Sequence, residues 1–563
     1  MGAVGIKIKI AIVIWALFAT LLSGYFSVSM EKRFLDHNPY FFDAVSYSFY
    51  NAKLYQRVQD VGRVAVARSE LSNNNRHPLR TVPLITFAPS LLAHPFGHMV
   101  ITLLSLFSFI FLLAYTIYRK TGWFVAAIAG AATPVLLPGL YYPLSGIAAF
   151  WLDLTAALLI GSAVLALLNS NNGRSLRWLA LFVVFGSCAA FARYVSAAYL
   201  LFASAPVFML YLFMRVREEE SWFRSFFLPS LFVTGLGLII AGPYLFAHVS
   251  SVSEFYHSYG YALGGTLESS FQATSDSFNT FIGPAGIMAT VLLVASWLFV
   301  VVKNKRFDAV DTVVPVWLFL SILVFLIVIL RTSAIHTISY AVILVLVALT
   351  ILWATFAKQQ GGTAIKHMGL VALLVLGSGC AGYYRSELAS IQNPSPQALD
   401  TKMTQTQLAD QLAKYDKKIV WNAYFDEIAW IPSMDSFYRH GVLPLPLGQD
   451  YVFSIHESVY KGNYPGWSEQ RINEELVENA NKWLNVAVVF ENPEDADRVL
   501  TNTSSRSAAK YIAKSIKSDA NWVKDFEIDT VLYGRLAGYI NMKPKLDNYD
   551  LVLAGRANLR PQQ

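Results

Sequence analysis

The stretch HMVITLLSLFSFIFLLAYTIYRKTG, residues 98–122, decides the fold class of this chain. An apolar helix of about 20 residues is long enough to cross the hydrocarbon core of a membrane. The run ends in the basic pair Arg119 and Lys120, and basic residues beside a span mark its cytoplasmic side. The stretch therefore predicts a transmembrane helix whose C-terminal end lies in the cytoplasm.

Runs of the same kind fill most of the first 384 residues. The chain has 563 residues, of which 55% are hydrophobic and 14% are charged, and its mean hydropathy is +0.44. Soluble proteins usually carry about 25% charged residues, so the composition predicts a polytopic α-helical membrane protein. About eleven spans are predicted, at residues 8–28, 98–118, 122–140, 150–169, 176–191, 194–214, 227–247, 281–302, 312–330, 336–356 and 366–384.

The basic residues predict the orientation of these spans. Alternate short loops carry Lys and Arg, as do the residues before the first span, and this side is therefore cytoplasmic. An odd number of spans then places the C-terminal region outside the cytoplasm. The first external loop, 29–97, holds eight basic residues. Loops of this length escape the rule, and a basic loop at a membrane surface is suited to binding phosphate.

Two domains are predicted, and their charges differ. Residues 1–384 form the transmembrane part and hold 24 Lys+Arg against 14 Asp+Glu, whereas residues 385–563 hold 20 against 23. The basic balance therefore belongs to the membrane part, which argues against a nucleic-acid partner. Strand-like runs at 419–424 and 486–490 flank a helix-like run at 472–483, a pattern that predicts an extracytoplasmic α/β domain.

The two cysteines, Cys188 and Cys380, both lie in apolar spans. They indicate no disulfide framework, zinc site or thiol chemistry. We expect no metal and no cofactor, because no metal-ligand motif is visible in the sequence.

Few ionisable groups lie at membrane depth, where they are energetically costly. On the predicted topology they gather at the external ends of helices: Asp153, Arg193, Arg331 and His336. Asp43 lies in the first external loop. Carboxylates and cations at one membrane face suit glycosyl transfer from a phosphate-linked lipid. A carboxylate accepts the proton of the attacking hydroxyl, and cations stabilise the leaving phosphate.

The order of these features resembles the GT-C superfamily of polyprenyl-phosphate-sugar glycosyltransferases, particularly its protein mannosyltransferase and aminoarabinose transferase branch. The resemblance covers the whole membrane part. It rests on an early span, on Asp43 and Tyr47 in a D-x-x-x-Y-like setting, on the proline-bearing stretch 77–89, on Asp153 at the start of a later helix, and on the late basic-aromatic stretch 331–340.

The resemblance implies a general base at Asp43, a supporting acid at Asp153, and contact between the donor phosphate and Arg331 and His336. The full set of candidate catalytic residues is Asp43 and Asp153. Candidate donor-phosphate ligands are Arg331, His336, Arg193 and Tyr340. Candidate contacts for the sugar or acceptor are Tyr47, Tyr256 and His257.

Structural explanations stay open for each of these residues. Asp43 could cap the helix that follows it, and Asp36 and Asp60 compete with it for the role of base. Asp153 could cap its own helix or form a structural ion pair with Arg193. The cations of the stretch 331–336 could be interfacial anchors, and the aromatic run 255–261 could be an interfacial belt. The basic first loop could contact lipid headgroups alone.

The sequence therefore predicts an inverting membrane glycosyltransferase in a bacterial inner membrane. Its expected partners are a polyprenyl-phosphate-linked sugar donor, a glycan, lipid or protein acceptor, and membrane lipids. The alternatives are a lipid-linked glycan flippase or other transporter, a polysaccharide ligase or polymerase, and a non-enzymatic envelope scaffold. A transporter would favour polar groups near the bilayer midplane and paired broken helices; here they gather at one face.

Overall fold

The computed structural model describes most of the first 250 residues and selected parts of the rest. The described segments are 3–37, 42–72, 77–143, 146–150, 152–218, 221–250, 396–415, 420–422, 426–446, 486–490, 522–528 and 551–556, with scattered positions at 272–394 and 466–478.

The N-terminal part is almost entirely helical. Its helices are α1 (Ala3–His37), α2 (Phe42–Val61), α3 (Arg63–Ser72), α4 (Pro78–Phe87), α5 (Met99–Thr121), α6 (Phe124–Ala132), α7 (Leu152–Leu168), α8 (Leu176–Ala192), α9 (Ser196–Glu218) and α10 (Leu228–Ile240). A further helix covers residues 242–250. Short 3-10 turns occupy Pro89–Ala93, Pro134–Leu136 and Pro138–Leu140, and a π-helical turn occupies Phe223–Phe227.

The chain divides into two compact units. The first, the membrane unit, comprises Met1–Lys32, Arg57–Leu92 and Phe96–Ala389. The second, the C-terminal unit, comprises Arg33–Gln56, Ala93–Pro95 and Ser390–Gln563. The first part of α2, which carries Asp43 and Tyr47, thus belongs to the same unit as the C-terminal region.

Helix α7 forms the centre of the membrane unit, because every one of its residues is buried. It packs against α5, α8 and α9. The approach to α5 is close at Gly161, where an added Cβ would lie 2.5 Å from the Phe109 ring. Small residues allow helices to approach in this way in membranes. This packing fixes the start of α7, where Asp153 lies.

Four helices in the described residues are long and apolar enough to cross a membrane: Ile6–Asp36, Met99–Thr121, Ser196–Glu218 and Phe223–Ile240. Three shorter apolar helices lie between them, Phe124–Leu136, Leu152–Leu168 and Leu176–Ala192. The prediction of an integral membrane protein is confirmed, and helices long enough to cross a membrane lie at the spans predicted for 98–118 and 194–214. The predicted span 312–330 and all but residues 282 and 283 of the predicted span 281–302 lie outside the described residues.

Two predicted helices differ from the structure. The span predicted at 122–140 is not one helix, because α6 ends at Ala132 and the prolines at 134 and 138 begin 3-10 turns. Nine helical residues rise only about 14 Å, too little to cross a bilayer. The helix-like stretch predicted at 44–71 is also divided, at Gly62, whose φ of 85° is left-handed. The chain bends between α2 and α3 there.

The C-terminal unit contains helices and a mixed sheet. The helices are α11 (Pro396–Ala413) and α12 (Asp426–His440), and they pack together. The strands are β1 (Val420–Asn422), β2 (Leu445–Pro446), β3 (Val486–Phe490), β4 (Trp522–Ile528) and β5 (Leu551–Arg556). Their order is β2-β1-β3-β5-β4. β1 pairs in parallel with β2 and β3, whereas β5 runs antiparallel to β3 and β4.

The first-loop helix is tied to the C-terminal region within this unit. The Tyr438 hydroxyl on α12 shares a hydrogen bond with Ser48 on α2, and burial raises the pKa of Tyr438 to about 12. Burial also lowers the pKa of Lys402 on α11, while the charges of Asp435 and Asp36 raise it. Residues more than 350 positions apart in the sequence therefore meet here.

Candidate active site

Asp153 is a buried carboxylate at the start of α7, a helix in which every residue is buried. It lies in the first turn of α7 and is only 1% exposed. The N-terminal end of a helix carries partial positive charge, which stabilises an acidic side chain in this turn. Oδ2 forms an ion pair with Nη1 of Arg193, and Oδ1 accepts a hydrogen bond of 2.9 Å from the Tyr340 hydroxyl. Both carboxylate oxygens are therefore engaged.

Arg193 reaches this carboxylate because the chain breaks between two helices. Its backbone is extended where α8 ends, and its N–H still bonds the Ala189 carbonyl at 3.0 Å. Its carbonyl then accepts the N–H of Ser196, which begins α9, at 2.9 Å. The interruption is only three residues long, and α8 and α9 both pack against α7. The local backbone thus presents the guanidinium to the start of α7.

Tyr340 closes the other side of Asp153. It is fully buried, and its ring centroid lies 4.5 Å from that of Tyr199 on α9, with the rings tilted by 55°. An aromatic pair at this distance contributes to packing. The geometry holds the Tyr340 hydroxyl on the carboxylate and favours a positioning role for this residue.

A second basic cluster adjoins Asp153 and was not predicted from the sequence. Arg80 on α4 is buried, and its guanidinium lies 5.0 Å from the centroid of the Phe150 ring. The His98 imidazole stacks on the same ring at 3.9 Å, and its Nε2 lies 2.9 Å from the Ala148 carbonyl oxygen. Arg80 and His98 line a cavity of about 20 Å³ together with Leu152 and Ala192, the neighbours of Asp153 and Arg193.

The only sequence signal for Arg80 was its place in the proline-bearing stretch 77–89, because its burial is a property of the folded structure. His98 opens an apolar span and gives no comparable signal, because its stacking partner Phe150 is distant in the sequence.

A larger, mainly apolar cavity lies on the other side of α4. Its volume is about 490 Å³, and it lies between α3 and α4 on one side and residues 191 and 240–248 on the other. His248 in its lining ends a row of stacked rings, in which the His77 centroid lies 6.2 Å from that of Tyr194 and the Tyr194 centroid lies 5.8 Å from that of His248. Phe191 in the cavity lining is two residues before Arg193.

The structure brings together Asp153, Arg193 and Tyr340 of the predicted site. Asp43 and Tyr47 lie on α2 in the C-terminal unit, and the side chain of Asp43 is outside the described residues. The remaining candidates also lie outside the described residues: Arg331, His336, Tyr256 and His257.

The sequence left three explanations of Asp153 open: a cap of its own helix, an ion pair with Arg193, or a role in the chemistry. The ion pair with Arg193 is present, and each carboxylate oxygen has a hydrogen-bond partner. The structure therefore contains the ion pair that the sequence left open as one explanation of Asp153. Among the described residues, no three His, Cys, Asp or Glu side chains lie close enough together to hold a metal ion.

The long apolar helices identify an integral membrane protein. The fold is similar to the crystal structure of ArnT from Cupriavidus metallidurans bound to undecaprenyl phosphate, with a TM-score of 0.51 and 13% sequence identity over 96% of this chain and 99% of that one. At this identity the likeness shows the fold alone. No family model and no curated protein sequence matches the chain.

Proposed function

We propose that this protein is a membrane glycosyltransferase that moves a sugar from a polyprenyl-phosphate carrier to a glycan, lipid or protein acceptor on the extracytoplasmic face. The observation that carries the proposal is the cluster at the start of α7, where Arg193 is paired with Asp153 and Arg80 lines a small cavity with Ala192, the residue before Arg193. The GT-C-like fold supports it, since the similar structure holds undecaprenyl phosphate.

The two guanidinium groups are suited to a phosphate. Arginine offers planar, bidentate donors that match phosphate oxygens. Arg193 is held in place by its carboxylate, and Arg80 is held against an aromatic ring. Preorganised donors of this kind stabilise charge that develops in a transition state. In this proposal Arg80 and Arg193 contact the carrier phosphate, and His98 lies beside them.

The neighbouring cavity is suited to the carrier chain. At about 490 Å³ it lies within the range of ligand sites, and its lining is mainly apolar. A polyprenyl chain needs an apolar path that ends beside its phosphate. The cavity between α3, α4 and residues 240–248 meets that requirement, because Phe191 in its wall is two residues from Arg193.

The reaction is a single displacement with inversion. The acceptor oxygen attacks the anomeric carbon on the face opposite the phosphate, and its proton passes to a carboxylate base. The bond between the anomeric carbon and the phosphate oxygen breaks, and the electron pair leaves with the carrier phosphate. Sequence resemblance assigns the base to Asp43, and that assignment is part of the proposal.

The proposal is tested by transfer of radiolabelled sugar from a panel of polyprenyl-phosphate donors by the purified full-length protein, with membrane extract as acceptor. We expect Asp43→Asn to lose at least 100-fold in kcat while it still binds donor. Asp60→Asn removes a competing acid of the same first loop and is expected to retain activity. A fully active Asp43→Asn variant would contradict the assigned base.

The donor-binding part has its own test. We expect Arg80→Gln to weaken binding of undecaprenyl phosphate more than Arg80→Lys does, because lysine keeps the charge but not the planar donor pair. Failure of the wild-type protein to transfer any sugar would instead favour the transporter and scaffold alternatives.

A further inference from the structure

Helix α3 has an outer groove that the proposed reaction does not use. The groove has a volume of about 580 Å³. It is lined by Arg63, Val64, Ala67, Arg68, Leu71 and Thr86. Val64, Arg68 and Leu71 are spaced by four and three residues and so share one face of α3. Val66 and Glu70 lie on another face and are buried.

The two arginines of this groove differ from the other arginine beside α3. Arg57 donates to the Ser69 hydroxyl at 3.1 Å and lies 3.8 Å from the buried Glu70 carboxylate. Within the described part of the chain, Arg63 and Arg68 make no hydrogen bond or ion pair. The only acidic side chain of α3 is thus already paired, and two positive charges face the groove.

Large apolar side chains are exposed beside these charges. Val64 is 83% exposed and Leu71 is 67% exposed on α3, and Phe87 at the end of α4 is 83% exposed. Exposed apolar residues next to arginines on a short helix are typical of segments that lie in a lipid interface. The same groove therefore offers cations for a headgroup and apolar surface for a chain.

We propose that the groove of α3 binds an anionic phospholipid of the surrounding membrane, with Arg63 and Arg68 on the headgroup phosphate and Val64 and Leu71 against an acyl chain. Charge complementarity selects an anionic over a zwitterionic lipid, because an ammonium group would face the same arginines. Leu71 is the one residue that the linings of this groove and of the cavity proposed for the carrier share.

Occupation of the groove would support the wall of the carrier cavity. Leu71 lines both spaces, and Glu70 lines the inner one. A lipid against the outer face therefore restrains the helix that forms part of the inner wall. This consequence rests on the proposed function, whereas the lipid site itself does not.

Native mass spectrometry tests the site with the full-length protein released from nanodiscs of phosphatidylcholine and phosphatidylglycerol. We expect the wild-type protein to retain phosphatidylglycerol selectively. Arg63→Gln with Arg68→Gln should lower the affinity by roughly five-fold for each charge removed, whereas Arg63→Lys with Arg68→Lys should keep most of it. Arg217→Gln with Arg224→Gln removes two exposed charges elsewhere and should change nothing.

Three results would overturn the proposal. Equal retention of the two lipids would show no anionic site, and unchanged retention by the double glutamine variant would place the lipid elsewhere. Displacement of phosphatidylglycerol by undecaprenyl phosphate, one for one, would make the groove part of the donor site. If the double glutamine variant elutes as aggregate, the single variant Arg68→Gln is tested instead. Its affinity for phosphatidylglycerol should fall by roughly five-fold, because one charge is removed. A wild-type protein that retains phosphatidylglycerol but transfers no sugar would contradict the proposed reaction and leave the lipid site in place.

Discussion

Asp153 shows at the scale of single residues how a charge is accommodated inside a helical bundle. A buried ion pair contributes little net stability, but removal of one partner leaves the other charge uncompensated. We expect Arg193→Gln to destabilise the protein by about 3–5 kcal/mol.

Tyr340→Phe removes one hydrogen bond to a charged group and should lower the free energy of unfolding by about 1.5–3 kcal/mol. Thermal unfolding in detergent measures both.

The matched control is the double variant Asp153→Leu with Arg193→Met, which removes both charges. Its unfolding midpoint should lie closer to that of the wild-type protein than the midpoint of Arg193→Gln does. Equal destabilisation by the single and double variants would mean that the ion pair is not the source of the effect.

The sequence was informative about this residue for a definite reason. A lone Asp in a long apolar run needs a partner, and Arg193 was the candidate. The sequence could not show that Tyr340 bonds the carboxylate, because the two residues are 187 positions apart. The position of Arg80 beside Phe150 depends on packing between helices in the same way.

At the scale of elements, Gly161 fixes the contact between α5 and α7. A Cβ at this position would lie 2.5 Å from the Phe109 ring and 3.0 Å from Ile343. We expect Gly161→Ala to destabilise the protein by about 1–3 kcal/mol through overpacking. Gly235→Ala on α10 is the control, because its Cβ would meet nothing within 4 Å and alanine favours a helix. A lower melting temperature is expected for Gly161→Ala only.

The contact between α2 and α12 predicts a pH dependence. Tyr438 has a pKa of about 12 in the folded protein, above the ordinary value of about 10. The unfolded chain therefore loses this proton first, and stability falls as the pH rises from 10 to 12. Tyr438→Phe should reduce this loss, which tyrosine absorbance and melting temperature follow together. An identical pH profile for the variant would contradict the buried hydroxyl.

Hydropathy located the regular spans but not the breaks between them. The run 122–140 is apolar throughout, so a hydropathy window cannot distinguish one span from a short helix followed by turns. The prolines at 134 and 138 carried that information, since proline ends a helix by removing a hydrogen-bond donor. Gly62 likewise marked the division between α2 and α3, because its backbone conformation is costly for other residues.

At the scale of the whole molecule, charge asymmetry predicts orientation. We expect Lys414→Cys to react with a membrane-impermeant maleimide added to intact spheroplasts, in a background of Cys188→Ala and Cys380→Ala. Arg217→Cys, in a predicted cytoplasmic loop, should react only after the membrane is permeabilised. Labelling of Arg217→Cys alone in intact spheroplasts would reverse the orientation and place the proposed site on the cytoplasmic face.

The tie between Ser48 and Tyr438 has a consequence for biosynthesis. The ribosome completes α2 early, but its hydrogen-bonding partner on α12 follows almost 400 residues later. At roughly 5–20 residues per second, the first-loop helix waits tens of seconds for that partner. A nascent chain arrested before α12 would therefore lack the hydrogen bond between Ser48 and Tyr438, even with its early spans already inserted. Maturation of this protein is in this respect tied to the end of its synthesis.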